Sequence, residues 1–124
     1  MAAEITISAS LEFDNGTIDE ALAKVGLRFD SSGTKYIKNV QLIGTSEEAL
    51  AIGECTSPGW AVFVNLDNTN YIGLRPGTGG TQYIELEAKG GLALFKFSSI
   101  SSWTPYAIAD TASCKLFYMI VNRA

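Results

Sequence analysis

The chain carries thirteen carboxylates, two cysteines and no histidine among its 124 residues, so any chemistry must come from acids, thiols, hydroxyls and backbone. Ser-His-Asp and Cys-His nucleophilic catalysis, His-ligated zinc and the commonest general base near neutral pH are thereby removed. A glycosidase-type carboxylate pair is the chemistry that survives. Its two acids converge from distant positions and leave no local spacing to read. The adjacent pairs Asp19-Glu20 and Glu47-Glu48 fall at expected element starts, where acids favour a helix N-terminus, and are read as capping or solvated residues. Gly77-Thr78-Gly79-Gly80-Thr81 offers backbone N–H groups to an anion. It lacks the Lys-Ser/Thr ending and the strand-to-helix setting of a phosphate loop, and is read as a connection. Asp67-Asn68-Thr69-Asn70 departs from the calcium-loop pattern and is read as a turn closed by Asx side-chain bonds. Cys55 and Cys114 are too few and too far apart for a zinc motif and are read as buried thiols. The expectation is a non-enzyme with no catalytic residue, metal or cofactor.

The elements that must position these groups are strands. Ile5, Ile7, Ala9, Leu11 and Phe13 alternate with Thr6, Ser8, Ser10 and Glu12, the period of two of a half-buried strand, which ends at the turn-forming Asp14-Asn15-Gly16. From Thr17 to Gly26, Thr17 and Glu20 have capping-box spacing and Gly26 can end a helix, so a helix of about two turns is expected over Thr17–Val25. The competing reading is an edge strand. Tyr36 to Ile43 reads as a strand. A second capping-box spacing, Thr45 to Glu48, then fits a single helical turn or a bulged connection. After Ser57-Pro58-Gly59, the run from Trp60 to Leu74 reads as two antiparallel strands joined by a tight turn. Tyr83 to Leu86 and Leu92 to Phe97 read as another hairpin around Lys89-Gly90-Gly91, and strands close the chain near Tyr106–Ala109 and Cys114–Asn122.

Seven to nine short strands with regular turn signals predict an all-β, single-domain antiparallel β-sandwich over residues 1–124, jelly-roll-like, with at most one or two short helices. At 47% hydrophobic and 18% charged, the chain falls below the roughly 25% charge of average domains, leaving a Ser/Thr/Asn/Gly-rich surface suited to cover by partners. A net charge of −4, with basic residues scattered, argues against nucleic acid, whose binders cluster Lys and Arg. The start Met1-Ala2-Ala3-Glu4 lacks a signal peptide's basic start and apolar core, and no stretch nears the roughly 20 apolar residues of a membrane helix. The expectation is a protein made in a cytoplasm with no membrane partner.

Trp60, Trp103, Tyr71, Tyr83 and Tyr106 could line a sugar-binding platform. Trp60, Tyr71 and Tyr83 lie inside apolar strand patterns and are expected in the core. Trp103, in the Ser-rich loop Ser98 to Pro105, admits two readings: an exposed anchor for a partner, or a ring folded back over the end of the sandwich.

Three stretches, Gly44-Thr45-Ser46-Glu47-Glu48-Ala49-Leu50, the segment from Pro58-Gly59-Trp60 through Asn65-Leu66-Asp67-Asn68-Thr69-Asn70-Tyr71, and Ala109-Asp110-Thr111-Ala112, together resemble small virion structural proteins of tailed bacteriophages. The likeness spans about residues 36 to 122. It implies a capsid decoration or cement protein on the capsid surface, made in the host bacterial cytoplasm, whose partners are the major capsid protein and copies of itself in a homotrimer. On that reading Trp103, Ile100 and Tyr106, with Arg75, Thr78 and Thr81 of the Arg75–Thr81 loop, form the inter-subunit or capsid-facing surface. The alternative is a carbohydrate- or receptor-binding module of a phage tail or fibre.

Overall fold

The computed structural model describes residues 4–30, 33–79, 81–98 and 104–123. Among them every regular element is a strand, and all strand pairs are antiparallel. The chain forms two compact units, Met1–Ser32 and Gly33–Ala124, so the sandwich expected over 1–124 is built by the second unit alone.

The first unit is a hairpin of β1 (Ile5–Asp14) and β2 (Asp19–Phe29). The helix expected over Thr17–Val25 is therefore corrected to a strand. Thr17 and Glu20 make no capping box. Instead Asn15 Oδ1 accepts the N–H groups of Thr17 and Ile18 at 3.0 and 2.7 Å, closing the turn. Nine cross-strand pairs from Ile5↔Phe29 to Asp14↔Asp19 outweigh the weak preference of a two-turn helix, because short helices draw most of their stability from tertiary packing. Gly26 is the bulge of this ladder. Its φ of 70° is the left-handed conformation that glycine tolerates, and its N–H donates to Ser8 Oγ at 3.1 Å. The extra residue flips the side-chain parity of β2, so that Leu27 opposite Ile7 and Leu22 opposite Leu11 share one face.

The second unit is a β-sandwich. One sheet has the order β3 (Tyr36–Ile43), β10 (Cys114–Asn122), β5 (Pro58–Asn65), β8 (Leu92–Lys96). The other runs β4 (Glu48–Ala49), β9 (Tyr106–Ala109), β6 (Ile72–Arg75), β7 (Ile84–Leu86). The capping-box stretch at Thr45 to Glu48 thus leads into a two-residue strand and not a helical turn. The ladders pair β3 with β10, β4 with β9, β5 with β8 and β6 with β7. The second unit is thus a long ribbon folded back on itself, and the further pairs β10·β5 and β9·β6 roll that ribbon into two sheets.

This order corrects both expected hairpins. β5 and β6, and likewise β7 and β8, belong to opposite sheets. Their connections are crossovers, while the true hairpin is β6–β7.

Alternation along the strands builds the core. Phe63 of β5, Leu116, Tyr118 and Ile120 of β10, and Ile43 of β3 face Ile72, Leu86 and Ala107 of the other sheet, all at most 1% exposed. Phe63 stacks on Phe95 at 5.6 Å and on Tyr118 at 6.1 Å, with Phe97 edge-on at 6.3 Å. Such pairs add to the area they bury.

Candidate functional site

The loop after β6 is held by one carboxylate. Glu47 lies just before β4, and its Oε2 accepts from Arg75 Nη1 at 2.8 Å. Its Oε1 accepts from Thr78 Oγ1 and from the Gly79 N–H, both at 2.7 Å. The Thr78 hydroxyl, the Gly79 N–H and the Arg75 guanidinium, in that order, hold the Glu47 carboxyl below its ordinary pKa of 4.5, since each favours the charged form. Arg75 Nε is buried and has no hydrogen-bond partner among the described residues. Tyr106 is the cross-strand partner of both Arg75 and Ala49, which places it beside this clamp.

The expected surface residues Arg75, Thr78 and Tyr106 are therefore brought together at one end of the sandwich. Arg75 and Tyr106 are half-buried there, while Thr78 and Thr81 are exposed. Trp103 and Ile100 lie outside the described residues. Glu47, read as a capping or solvated acid, is the residue the sequence reading missed. Its bonds span about thirty positions, and no local spacing reports them.

Beneath the clamp is a cavity of about 260 Å³ between the sheets. Phe63, Leu74, Ile84, Phe95 and Phe97 line it, with Arg75, Pro76, Pro105 and Tyr83 at its walls. Tyr83, expected in the core, is 77% exposed, and Trp60 and Tyr71 are half-buried. Trp60 falls on the outward side of β5, between the buried Gly59 and Ala61. The apolar run hid this parity.

A second polar cluster is structural. The Tyr118 hydroxyl donates toward the Ala51 carbonyl at 2.6 Å and lies 3.0 Å from Gln41 Oε1, while accepting from Asn39 Nδ2 at 3.1 Å. Gln41 in turn donates to Glu48 Oε1 at 3.0 Å and accepts from the Ala51 N–H at 3.0 Å. Glu48 Oε2 accepts the Gly44 N–H at 3.2 Å. The two neighbouring acids Glu47 and Glu48 thus serve two different networks.

The crossover from β5 to β6 is organised by Asn65, which is fully buried. Its Nδ2 donates to the carbonyls of Asn70 and Leu86 at 2.9 and 3.0 Å, and its Oδ1 accepts the Asp67 N–H at 2.9 Å. Asp67 Oδ2 accepts the N–H groups of Asn70 and Thr69 at 2.7 and 3.0 Å, the Asx turn that the residues predict. Those two N–H groups, Asn70 first, lower the Asp67 pKa.

Cys55 and Cys114 are free, fully buried thiols, and burial pushes both pKa values up. Among the described residues no three Cys, Asp or Glu side chains converge as a metal cage, and no helix is long and apolar enough to cross a membrane. Compared with family models, with curated proteins and with solved structures, the chain matches none.

Proposed function

We propose that this chain is a non-enzymatic structural protein of a tailed-phage virion, a decoration or cement protein that binds across neighbouring major capsid protein subunits. One observation carries the reading. The outward face of the β3-β10-β5-β8 sheet is apolar where a solvated sheet alternates to polar, with Tyr36, Val40, Leu42 and Leu92 each more than half exposed. A contiguous apolar surface of this kind marks a protein-covered face. We read the rolled-ribbon strand order as a jelly roll, an architecture that capsid and lectin domains share. The Glu47 clamp supports a binding role at the end of the sandwich, because it holds a glycine-rich loop with three charge-assisted bonds.

The cavity favours a second reading, a receptor- or glycan-binding module of a tail or fibre, since exposed Tyr83 stands at its wall. Its lining is almost wholly apolar, however, and a sugar site needs convergent polar groups. The test is to label intact virions with an antibody against the chain and image the particles. Regular label over the head, with rebinding to capsids stripped of the protein and a gain in their thermal stability, is the expected result. Label confined to the tail, or no effect on stripped capsids, overturns the decoration reading.

A further inference from the structure

The two units carry very different charge. The residues of the hairpin unit include six acids, Glu4, Glu12, Asp14, Asp19, Glu20 and Asp30, against Lys24 and Arg28. That is the whole net charge of −4, and the sandwich, with seven acids and seven bases, is neutral. The outward face of the β3-β10-β5-β8 sheet nevertheless has a sign of its own. Its strand positions carry Lys38, Lys96 and Lys115 and no carboxylate.

The apolar surfaces are matched as well. On the sheet, register aligns Val40, Phe117, Val64 and Leu92 in one row across four strands. The next row is Lys38, Met119, Val62 and Leu94. On the hairpin, the turn register puts Leu11, Phe13 and Leu22 on one face, 75%, 50% and 62% exposed, and the Gly26 bulge brings Leu27 and Phe29 onto the same face, 40% and 38% exposed. A two-stranded hairpin is at best marginally stable in water unless that face is covered. A strand of ten residues is roughly 34 Å long, and the eight-residue strands of the sheet run about 27 Å, so the two faces are commensurate.

We propose that the hairpin is an exchanged arm, its apolar face laid on the outward β3-β10-β5-β8 face of a second copy of this chain. The docked face carries Glu20 and Lys24, while Glu12, Asp14 and Asp19 lie on its back, so the charge match to the sheet's lysines is that of the arm as a whole, at −4. Area sets the form of the exchange. A hairpin face about 34 Å long and 10 Å wide covers on the order of 340 Å², so one docked arm removes about 700 Å² in all. A stable specific interface needs roughly 1,200–2,000 Å². A single arm falls short, so arms must be given and received around a closed assembly in which none is left over. The acidity of the arm disfavours an anionic membrane as the occupant. The assembly claims the same sheet face that the capsid reading uses, so an arm seated there leaves the Glu47 end of the sandwich for a capsid subunit; its test uses the purified full chain without any particle, so each reading can fail alone.

The mass of the full chain at tens of micromolar, measured by light scattering after gel filtration, should be a multiple of 13.3 kDa. Leu11→Glu with Leu22→Glu on the arm, and separately Met119→Glu on the face, should each return it to the single-chain mass with the strand circular-dichroism spectrum retained. The arm is then traced directly. A Leu11→Cys chain mixed with a Leu94→Cys chain should form a disulfide between chains on mild oxidation, a readout that does not depend on the Glu variants folding. A single-chain mass for the wild type, an oligomer indifferent to both sets of substitutions, or a disulfide formed only within a chain bearing both cysteines would each overturn the proposal. The last result would mean that the arm covers its own sheet.

Discussion

Replacing Asn65 by Leu tests the claim that one buried carboxamide holds the crossover between the sheets. Leu has the same branching and heavy-atom count but is bulkier, so the substitution removes hydrogen bonds, opens no cavity and adds some overpacking. The Asn70 and Leu86 carbonyls lose the donors that reach them at 2.9 and 3.0 Å, and the Asp67 N–H loses its acceptor at 2.9 Å. Each bond is worth about 1 kcal/mol net, and a buried group left unsatisfied costs about 1–3 kcal/mol. Asn65 is wholly buried while the turn beyond it is partly open, so water can repair the Asn70 and Asp67 groups but not the Leu86 carbonyl. The expected cost is about 3–4 kcal/mol, a large share of the roughly 5–15 kcal/mol that keeps a domain folded. For a sandwich of this size it corresponds to a drop in Tm of roughly 12–25 °C. Urea unfolding followed by circular dichroism measures it directly. A loss below about 1 kcal/mol with an unchanged m value would show that the crossover is held by its apolar neighbours and that Asn65 is dispensable.

Tyr118→Phe keeps the ring against Phe63 but strips the hydroxyl from Asn39, Gln41 and the Ala51 carbonyl. It should cost about 1–2 kcal/mol, and a thermal melt within about 1 °C of the wild type would refute the network. Glu47 has its pKa lowered on folding, so its contribution is present above the ordinary value of 4.5 and is lost as pH falls through the lower folded value. Urea midpoints measured from pH 7 down to pH 3 should therefore fall less steeply for Glu47→Gln than for the wild type, and parallel curves would show the clamp to be idle. Cys55 and Cys114 should resist a thiol reagent in the native protein and react at once when denatured, because both are buried with raised pKa values. Fast labelling of either would contradict the packing around it.

Most strands were legible because a half-buried strand writes its period into local sequence. Cys114 to Asn122 alternates and is such a strand; Ile5 to Phe13 alternates and is a strand too, but the core face expected for it is corrected, since Leu11 and Phe13 are exposed. What the sequence does not write locally is which strand lies beside which. Val62 and Tyr71 sit on either side of a polar turn in a pattern that fits a hairpin, yet the choice between pairing and crossing depends on Asn65 reaching Leu86, twenty-one residues on. The same limit produced the helix misreading. Thr17, Glu20 and Gly26 satisfy a helical signature within ten residues, and only the ladder to β1 reveals Gly26 as a bulge that brings Leu27 onto the face of Leu11 and Leu22. Glu47 was hidden for a related reason, since its partners at Arg75, Thr78 and Gly79 are reached only after β5 and β6 have been laid down.

That bulge is also the strongest physical argument that the arm has a partner. A solvated hairpin gains nothing from shifting its parity at a glycine, a residue that weakens a strand by roughly 0.5–1 kcal/mol relative to alanine. Without the shift, the turn would still set Leu22 opposite Leu11, but Leu27 and Phe29 would point away from Ile5, Ile7 and Leu11. With it, Leu27 and Phe29 join Ile5, Ile7, Leu11, Phe13 and Leu22 on one side. The opposite side keeps the pairs Ser10↔Ala23 and Glu12↔Ala21. A conformational cost that sorts an exposed surface into an apolar and a polar side is recovered only when the apolar side leaves water, where each fully buried Leu or Phe contributes about 1.5–3 kcal/mol. Two such side chains, Leu27 and Phe29, more than offset one glycine.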